Sequence, residues 1–566
     1  MRGCFTRAWC CATLCVVAVA VAVFGTDAPL ANADANADAN VDRDAATVAN
    51  VAETVPARLS DRQIAVHVLN RMAFGPQPGE VAALIAIGWE PWVNAQLDPQ
   101  SIDDGELDAT LKERFPSLYM SMGQIFQTYR PSPTGDQPTR EERRERARLA
   151  QKARKELATS VLMRALQSER QFLEVIVEFW RNHFNVYTAD QNKQDIAVLA
   201  NHYEQQVIRK HAFGKFGDML MASAKHPAML IYLDNAVSQK SLTDKEEQMA
   251  ARVARSRRQL RSILSQVRQR GLNENYAREL MELHTIGVEQ ENRRGGYSQQ
   301  DVIELSRALT GWTAAFSEDK TDYGFRFKAD VHDRLPKTVL GRRLKGRPGL
   351  KEGEAIIKRL ALDPRTANFI SRKLCRYLVD DDPPKALVKR VAGVFRRTRG
   401  NLPKVYDAIV TSAEFLDPDH YQSKFKTPFE FTVSALRATG ATVQDHDELL
   451  EALGHMGQPI YGKEDPTGYY DQAEAWLDPG VLLHRWQFTL HLAEGRLDGV
   501  AMDEEFVMSL VKLPPDQMKQ RMVQQLLPAG VDEQTRQILD HAIDSFGMYR
   551  RQVLGLLLGS PAFQQQ

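Results

Sequence analysis

The sequence predicts a mainly α-helical protein, with one large multi-helix domain and a small inserted β-hairpin near residues 321–341. Apolar residues recur at helical spacing in most segments after about residue 60, which is the pattern of helices with one buried face. Ser or Thr followed three residues later by an acid, a capping-box pattern, marks helix starts at Thr139 and Ser298. Strict apolar–polar alternation, which indicates a strand, stands out only in the hairpin region.

The first element is an export signal. Arg2 and Arg7 precede an apolar run over about residues 12–24, and Ala-Asn-Ala follows at residues 31–33. This order predicts a secretory signal peptide over residues 1–33. A membrane-spanning helix needs about 20 residues, so the run is short for an anchor, although an uncleaved anchor is the alternative. We expect export to the periplasm or the cell exterior, with no transmembrane span in the mature chain.

A low-complexity leader and one large domain follow the signal. Residues 34–59 are rich in Ala, Asn and Asp, a composition that predicts disorder. Residues 60–566 show no repeat of fixed period and no clear linker, so we expect a single helical domain. Four or five helices are predicted over residues 351–438, broken where Pro follows Asp or Thr.

The charge pattern gives no indication of a nucleic-acid partner. Lys+Arg and Asp+Glu both total 73, so the global charge is balanced. The basic segment 251–270 carries seven arginines and no acid, but it has no aromatic residue to stack on bases. Its two interpretations are a solvated helix face and a contact with an anionic membrane or polysaccharide.

Cysteine usage leaves no internal disulfide in the mature chain. Cys4, Cys10, Cys11 and Cys15 all lie in the signal, and Cys375 is the single cysteine that remains. It lies in an apolar stretch, which favours a small buried side chain over a nucleophile.

Residues 273–313 hold the densest group of candidate site residues. Asn275, Glu279 and Glu282 are spaced to share one helical face, and Arg278 can pair with Glu282. His284 follows at the helix end. Two carboxylates on one face can ligate a divalent metal or divide acid and base roles, so Glu279 and Glu282 are the catalytic candidates, with Asn275 and Arg278 in ligand binding. A structural network of ion pairs is the alternative.

The predicted hairpin carries the next candidates. Tyr323, Phe325 and Phe327 alternate, and we expect them to pair with residues 338–340. The intervening loop would then present His332 as a catalytic residue and Asp333 as a ligand-binding one. A turn stabilised by the Asp side chains is the alternative.

His183 and His284 are the predicted metal ligands. His183 follows Phe179 and Trp180 by four and three residues, so it shares their apolar helix face. It is either a metal ligand or general base, or a core histidine bonded to a carbonyl. Asn182 falls instead on the stripe of Glu174 and Glu178, which predicts polar surroundings. The implied cofactor is a divalent metal, if these side chains converge with Glu279, Glu282 and His332.

Many separate stretches, in order, resemble the bacterial family named domain of unknown function 1800. This resemblance implies an exported, largely helical protein. Genes of the family often neighbour those of a sulfatase-like family, domain of unknown function 1501, which makes an exported sulfatase-like protein the expected partner. The matching stretches are 67–81, 179–187, 226–235, 273–288, 296–313, 332–341, 366–379 and the Pro/Gly/Tyr-rich loop 457–476.

Two functions from different classes follow. The first is a polar pocket that binds a metal or small ligand and hydrolyses an envelope substrate. The second is a non-catalytic scaffold or accessory protein for the sulfatase-like partner. No G-x-S-x-G, P-loop or dinucleotide-binding context is present, which disfavours serine hydrolases, NTPases and dehydrogenases. Whether the chain is an enzyme stays open at this level.

Overall fold

The computed structural model describes residues 58–130, 138–241, 271–293, 295–316, 323–344, 349–531, 533–546 and 550–566. The predicted signal peptide, the predicted leader up to residue 57 and the basic segment 251–270 lie outside the described residues.

Several helices begin at a capping side chain. The capping boxes predicted at Thr139 and Ser298 are both formed, and Ser60, Ser121 and Thr427 make the same motif. Each hydroxyl accepts the N–H of the residue three positions on, which satisfies a donor that has no partner inside the helix. The mainly α-helical fold class is confirmed.

The described residues up to Leu309 form α1 to α12. A π-helical turn at Glu204–Arg209 continues α8. The bounds are α1 Asp61–Met72, α2 Glu80–Ile87, α3 Trp89–Leu97, α4 Gly105–Arg114, α5 Met122–Tyr129, α6 Arg140–Gln167, α7 Gln171–His183, α8 Asp195–Tyr203, α9 Phe216–Lys225, α10 Pro227–Tyr232, α11 Asn275–Glu282 and α12 Gln299–Leu309.

The second half forms α13 to α24. Five helices lie over residues 350–438, and three of the four breaks between them fall at the predicted prolines; the fourth break, at residues 398–401, has no proline. The bounds are α13 Leu350–Ala361, α14 Pro364–Leu378, α15 Lys385–Arg397, α16 Leu402–Val410, α17 Pro428–Ala438, α18 Asp447–His455, α19 Pro479–Glu494, α20 Glu504–Val511, α21 Pro515–Leu526, α22 Glu533–Phe546, α23 Arg550–Gly559 and α24 Pro561–Gln564.

Three two-stranded antiparallel sheets interrupt the helices in the described residues, and the hairpin pairing differs from the prediction. The sheets are β1 Trp312–Phe316 with β2 Tyr323–Phe327, β3 Thr338–Val339 with β4 Arg342–Arg343, and β5 Thr442–Val443 with β6 Val500–Ala501.

The expected pairing of residues 323–327 with 338–340 is wrong. The partner precedes β2, and Trp312 lies opposite Phe327 while Ala314 lies opposite Phe325. Trp312, which fits the helical spacing of α12, therefore begins a strand. The chain turns between the two at Gly311, whose φ is 79° and whose α-carbon leaves no room for a side chain beside the carbonyl of Lys328.

The core is built around α7. Trp180 is fully buried, and its indole N–H donates to the Tyr406 hydroxyl at 2.7 Å, which in turn donates to the Ala212 carbonyl at 2.7 Å. Burying one large apolar side chain stabilises a fold by about 1.5–3 kcal/mol. Cys375 is also fully buried, as predicted, and burial raises the pKa of its thiol to about 12.

Of the helices in the described residues, none combines the length and the apolar character needed to cross a bilayer.

Candidate acid–base site

The catalytic candidates on α11 have different surroundings. Glu282 pairs with Arg278 at 3.1 Å, and Arg278 also donates to the Gln299 side chain at 2.5 Å. Asn275 is exposed. The Glu279 side chain is half-buried and has no hydrogen bond or ion pair among the described residues. Burial and the neighbouring charge of Glu282 raise its pKa to about 7.

His332 and Asp333 lie in a closed polar network. His332 is 2% exposed; its Nδ1 lies 2.9 Å from the Thr310 carbonyl, and its Nε2 accepts the Gly349 N–H at 3.1 Å. Asp333 takes two hydrogen bonds from Arg307, at 2.8 and 3.2 Å.

A buried lysine completes this network. Lys337 donates to Glu352 at 2.9 Å and to the Leu335 carbonyl at 3.1 Å. We name these residues the brace cluster: Arg307, His332, Asp333, Lys337 and Glu352. Both ring nitrogens of His332 are engaged within the protein, so this arrangement matches the structural interpretation of the hairpin loop more closely than a ligand site.

The structure brings His183 and His284 together. Their ring centroids lie 6.1 Å apart, and His183 Nε2 lies 3.3 Å from the His284 carbonyl. A carbonyl only accepts, so Nε2 carries the proton and Nδ1 accepts a hydrogen bond from Lys373 Nζ at 3.2 Å. Burial and then the Lys373 charge hold the pKa of His183 well below its ordinary value. Burial lowers the pKa of His284 to about 3.

In the described residues, the predicted side chains show no contacts that would join them into one metal site. No hydrogen bond, ion pair or ring contact in the described part of the chain joins His332 or Glu282 to His183. Within the described ranges, no three His, Cys, Asp or Glu side chains are arranged so that they could hold one metal ion.

A different group of ionisable side chains meets beside His183. Glu178, five residues earlier on α7, accepts the Tyr377 hydroxyl at 2.9 Å. Burial raises the pKa of Glu178 to about 7; Arg181 opposes this rise, whereas the charges of Glu430 and Asp471 add to it. The half-buried carboxyl of Glu178 therefore gains or loses its proton near neutral pH.

The charge of Asp471 acts on both Glu178 and Lys373, and Lys373 is the residue that bonds His183. Burial lowers the pKa of its amine, although the charge of Asp471 opposes that effect. Its Nζ lies 6.0 and 5.9 Å from the ring centroids of Phe179 and Phe369. Burial raises the pKa of Asp471 in turn, against the charges of Lys373 and Lys424. We name this group the acid–base cluster: Glu178, His183, Lys373, Tyr377 and Asp471.

Asp471 belongs to the long loop, residues 456–478, which joins α18 to α19. Asn182 at the end of α7 holds this loop: its side-chain nitrogen donates to the Tyr469 carbonyl at 2.8 Å, and its oxygen accepts the Tyr469 N–H at 2.6 Å. Gly468 has a φ of 75°, and a side chain there would collide with Asn182. Asn185 donates to the carbonyls of Lys463 and Asp465, at 2.9 and 3.0 Å.

A buried ion pair anchors the start of the same loop. Arg181 donates to both oxygens of Glu204, at 3.0 and 3.3 Å, and Tyr461 donates to Glu204 at 2.7 Å. Tyr461 has a φ of 53°. Charge-assisted and bidentate bonds of this kind fix geometry, so the loop is positioned from its first residues.

Sequence reasoning singled out the parts of this cluster without joining them. The polar stripe of Glu174, Glu178 and Asn182 was visible from spacing, and the long loop from its composition. Glu174 instead pairs with Arg209, at 2.8 Å for one of the two bonds. The partners of Glu178 lie 199 and 293 positions away in the chain, at Tyr377 and Asp471, and helical periodicity carries no information over that separation.

Comparisons with known proteins give one match. A family model described as "Protein of unknown function (DUF1800)" matches residues 67–565. No curated protein and no solved structure matches the chain.

Proposed function

The chain belongs to the DUF1800 family of proteins of unknown function, and we propose that it is an exported protein whose acid–base cluster binds and hydrolyses a polar substrate of the cell envelope. The observation that carries this proposal is the half-buried carboxyl of Glu178, which accepts the Tyr377 hydroxyl at 2.9 Å and whose pKa burial raises to about 7. A general acid works best when its pKa lies near the operating pH.

In the proposed reaction, Glu178 is the general acid and Asp471 the general base. Glu178 donates its proton to the leaving group, and Tyr377, which hydrogen-bonds Glu178, stabilises the carboxylate that results. Asp471, whose raised pKa makes it a better base, takes a proton from the attacking water, and the hydroxyl of that water joins the other product. Lys373 and His183 hold Asp471 and the substrate in place. The two acids have different neighbours: Tyr377 bonds Glu178, whereas the charge of Lys373 opposes the rise in the pKa of Asp471. This difference favours the acid role for Glu178 and the base role for Asp471.

The test compares two variants on envelope material. Mature protein is incubated with purified peptidoglycan and with envelope polysaccharide, and released reducing ends and amines are measured. Glu178→Gln should lower the rate by about 100-fold or more, since general acid catalysis contributes that much. Glu282→Gln, which removes one partner of the Arg278 ion pair, is the matched control and should stay active. Unchanged activity in a folded Glu178→Gln protein would refute the assignment.

Export is the second part of the proposal. Its support is the N-terminal pattern of Arg2 and Arg7, the apolar run over about residues 12–24 and the small residues at 31–33. N-terminal sequencing of the protein recovered from the periplasm or medium should begin near Asp34. Recovery of full-length chain from the cytosol alone would contradict export.

A second candidate function is a non-catalytic partner of an exported sulfatase-like protein. The observation that favours it is that Glu282, Asp333 and Glu352 pair internally with Arg278, Arg307 and Lys337. The two exported chains would be expressed together and co-purified. A clean absence of complex at micromolar concentration argues against the partnership.

A further inference from the structure

Two histidines face each other at the base of the long loop. His455 is the last residue of α18, and His484 lies in the second turn of α19. Their ring centroids are 5.2 Å apart, and the ring planes are inclined by 32°. No hydrogen bond in the described residues occupies their ring nitrogens.

This separation is the one that chelation requires. An imidazole nitrogen binds zinc at about 2.0–2.1 Å, and the ring centroid lies about 1 Å farther out. Two imidazoles on one tetrahedral ion therefore place their centroids about 5 Å apart. The pair can meet an ion through side-chain rotation, without movement of the helices.

A carboxylate stands beside the pair. Glu451 lies one helical turn before His455, and its Oε1 is 3.8 Å from His455 Nε2. The His455 and Glu451 side chains are 56% and 70% exposed, so an ion can reach them from solvent. The carboxylate is close enough to hydrogen-bond a water on the ion, and its charge favours a cation.

We propose that His455 and His484 form a labile site for a divalent transition metal, with water completing the coordination and Glu451 supporting it. Imidazole suits copper, nickel and zinc, and Cu(II) should bind tightest of these. Two protein ligands suffice for exchangeable binding, which agrees with the lack of a three-residue metal group in the described part of the chain.

A bound ion would join the two ends of the long loop. Residues 456–483 separate the ligands, and a bridge between them lowers the entropy of the open chain. Asp471 of the acid–base cluster lies on this loop, so metal occupancy would steady its position. The metal site itself does not depend on the proposed hydrolysis.

The test uses the mature full-length chain, produced without a His tag and freed of metal by dialysis. Cu(II) is titrated by calorimetry, and nitrogen ligation is read from the electron paramagnetic resonance spectrum. We expect one equivalent per chain with nitrogen ligands and a rise in Tm. His455→Ala and His484→Ala should each weaken binding at least about tenfold and abolish the Tm rise.

His491→Ala is the matched control, because His491 lies on the same helix but its Nε2 is engaged by Arg496 at 3.0 Å. It should bind copper like the parent. Equal Tm values without metal would show that the variants are folded. Copper binding that is absent in the parent, or unchanged in both His455→Ala and His484→Ala, overturns the proposal and leaves an adventitious ion only.

Discussion

The brace cluster and the acid–base cluster contain the same kinds of side chain, yet they differ in how completely those side chains are paired. Lys337 is 1% exposed and donates to a carboxylate and to carbonyls. Lys373 has one hydrogen-bond partner among the described residues, the neutral His183. The comparison teaches that a dense polar motif in a sequence indicates a site only where pairing is left incomplete.

The difference in pairing shifts the pKa values of the carboxyls in the two clusters in opposite directions. In the brace cluster, Arg307 lowers the pKa of Asp333 by hydrogen bonding, against the effect of burial. In the acid–base cluster, burial raises the pKa values of Glu178 and Asp471. One cluster keeps fixed charges that hold the fold, and the other keeps protons that can move.

The largest expected effect is a loss of stability caused by a substitution in the brace cluster. Glu352→Ala removes the nearest carboxylate partner of Lys337, and the buried ammonium is then left with Asp333, which lies 3.8 Å away and is already paired with Arg307. We expect a loss of about 3–5 kcal/mol in the free energy of unfolding, measured by urea titration. Glu289→Ala, which breaks the exposed pair with Arg372, should cost less than about 1 kcal/mol. A loss from Glu352→Ala as small as this control would show that the brace cluster does not stabilise the fold.

The next effect is on the mobility of the long loop that carries Asp471 of the acid–base cluster. Gly468→Ala forces a side chain into a left-handed backbone position against Asn182, at a cost of about 1–3 kcal/mol. Amide hydrogen exchange should accelerate over the long loop and stay unchanged in the brace cluster. Gly295→Ala is the control, since its φ is also positive, at 82°, but nothing lies near. Equal exchange in the two variants would contradict the role given to the Asn182 contact.

The third effect is on pH dependence. The pKa of Glu178 is about 7 in the folded protein, above the ordinary 4.5, so the folded state retains this proton to higher pH. Stability should therefore fall as pH rises from about 4.5 to 7, by about 2 kcal/mol from this group after allowing for its partial exposure. Glu178→Gln should remove that part of the slope. The difference between the two proteins in urea titrations at pH 5 and pH 8 measures it; identical slopes would refute the raised pKa.

The smallest expected change in stability comes from Glu282, in the segment 273–313 that holds the densest group of candidate residues in the sequence. Glu282→Gln breaks a partly exposed pair with Arg278 and should change stability by less than about 1 kcal/mol. A loss above about 2 kcal/mol in urea unfolding would place Glu282 with the brace cluster.

Local signals in the sequence were sufficient for the helices and insufficient for the site. A capping box involves four consecutive residues, so the starts of α6 and α12 could be predicted. The partner of β2 could not, because Trp312 fits both a helical stripe and a strand, and the turn at Gly311 decides between them. His183 was assigned to the apolar face of α7 and Asn182 to its polar stripe, and the structure buries His183 and leaves Asn182 half-buried. Their partners Lys373 and Tyr469 depend on tertiary packing, which no local period encodes.

Side chains at the end of α7 and just after it hold the long loop through its main chain. Asn182, Asn185 and the Thr188 hydroxyl all bond main-chain atoms of the loop, at Tyr469, Lys463, Asp465 and Tyr461. A hydrogen bond to a main-chain atom does not depend on which side chain the loop residue carries. Positions 463 to 465 can therefore be randomised in a library while the path of the loop is kept.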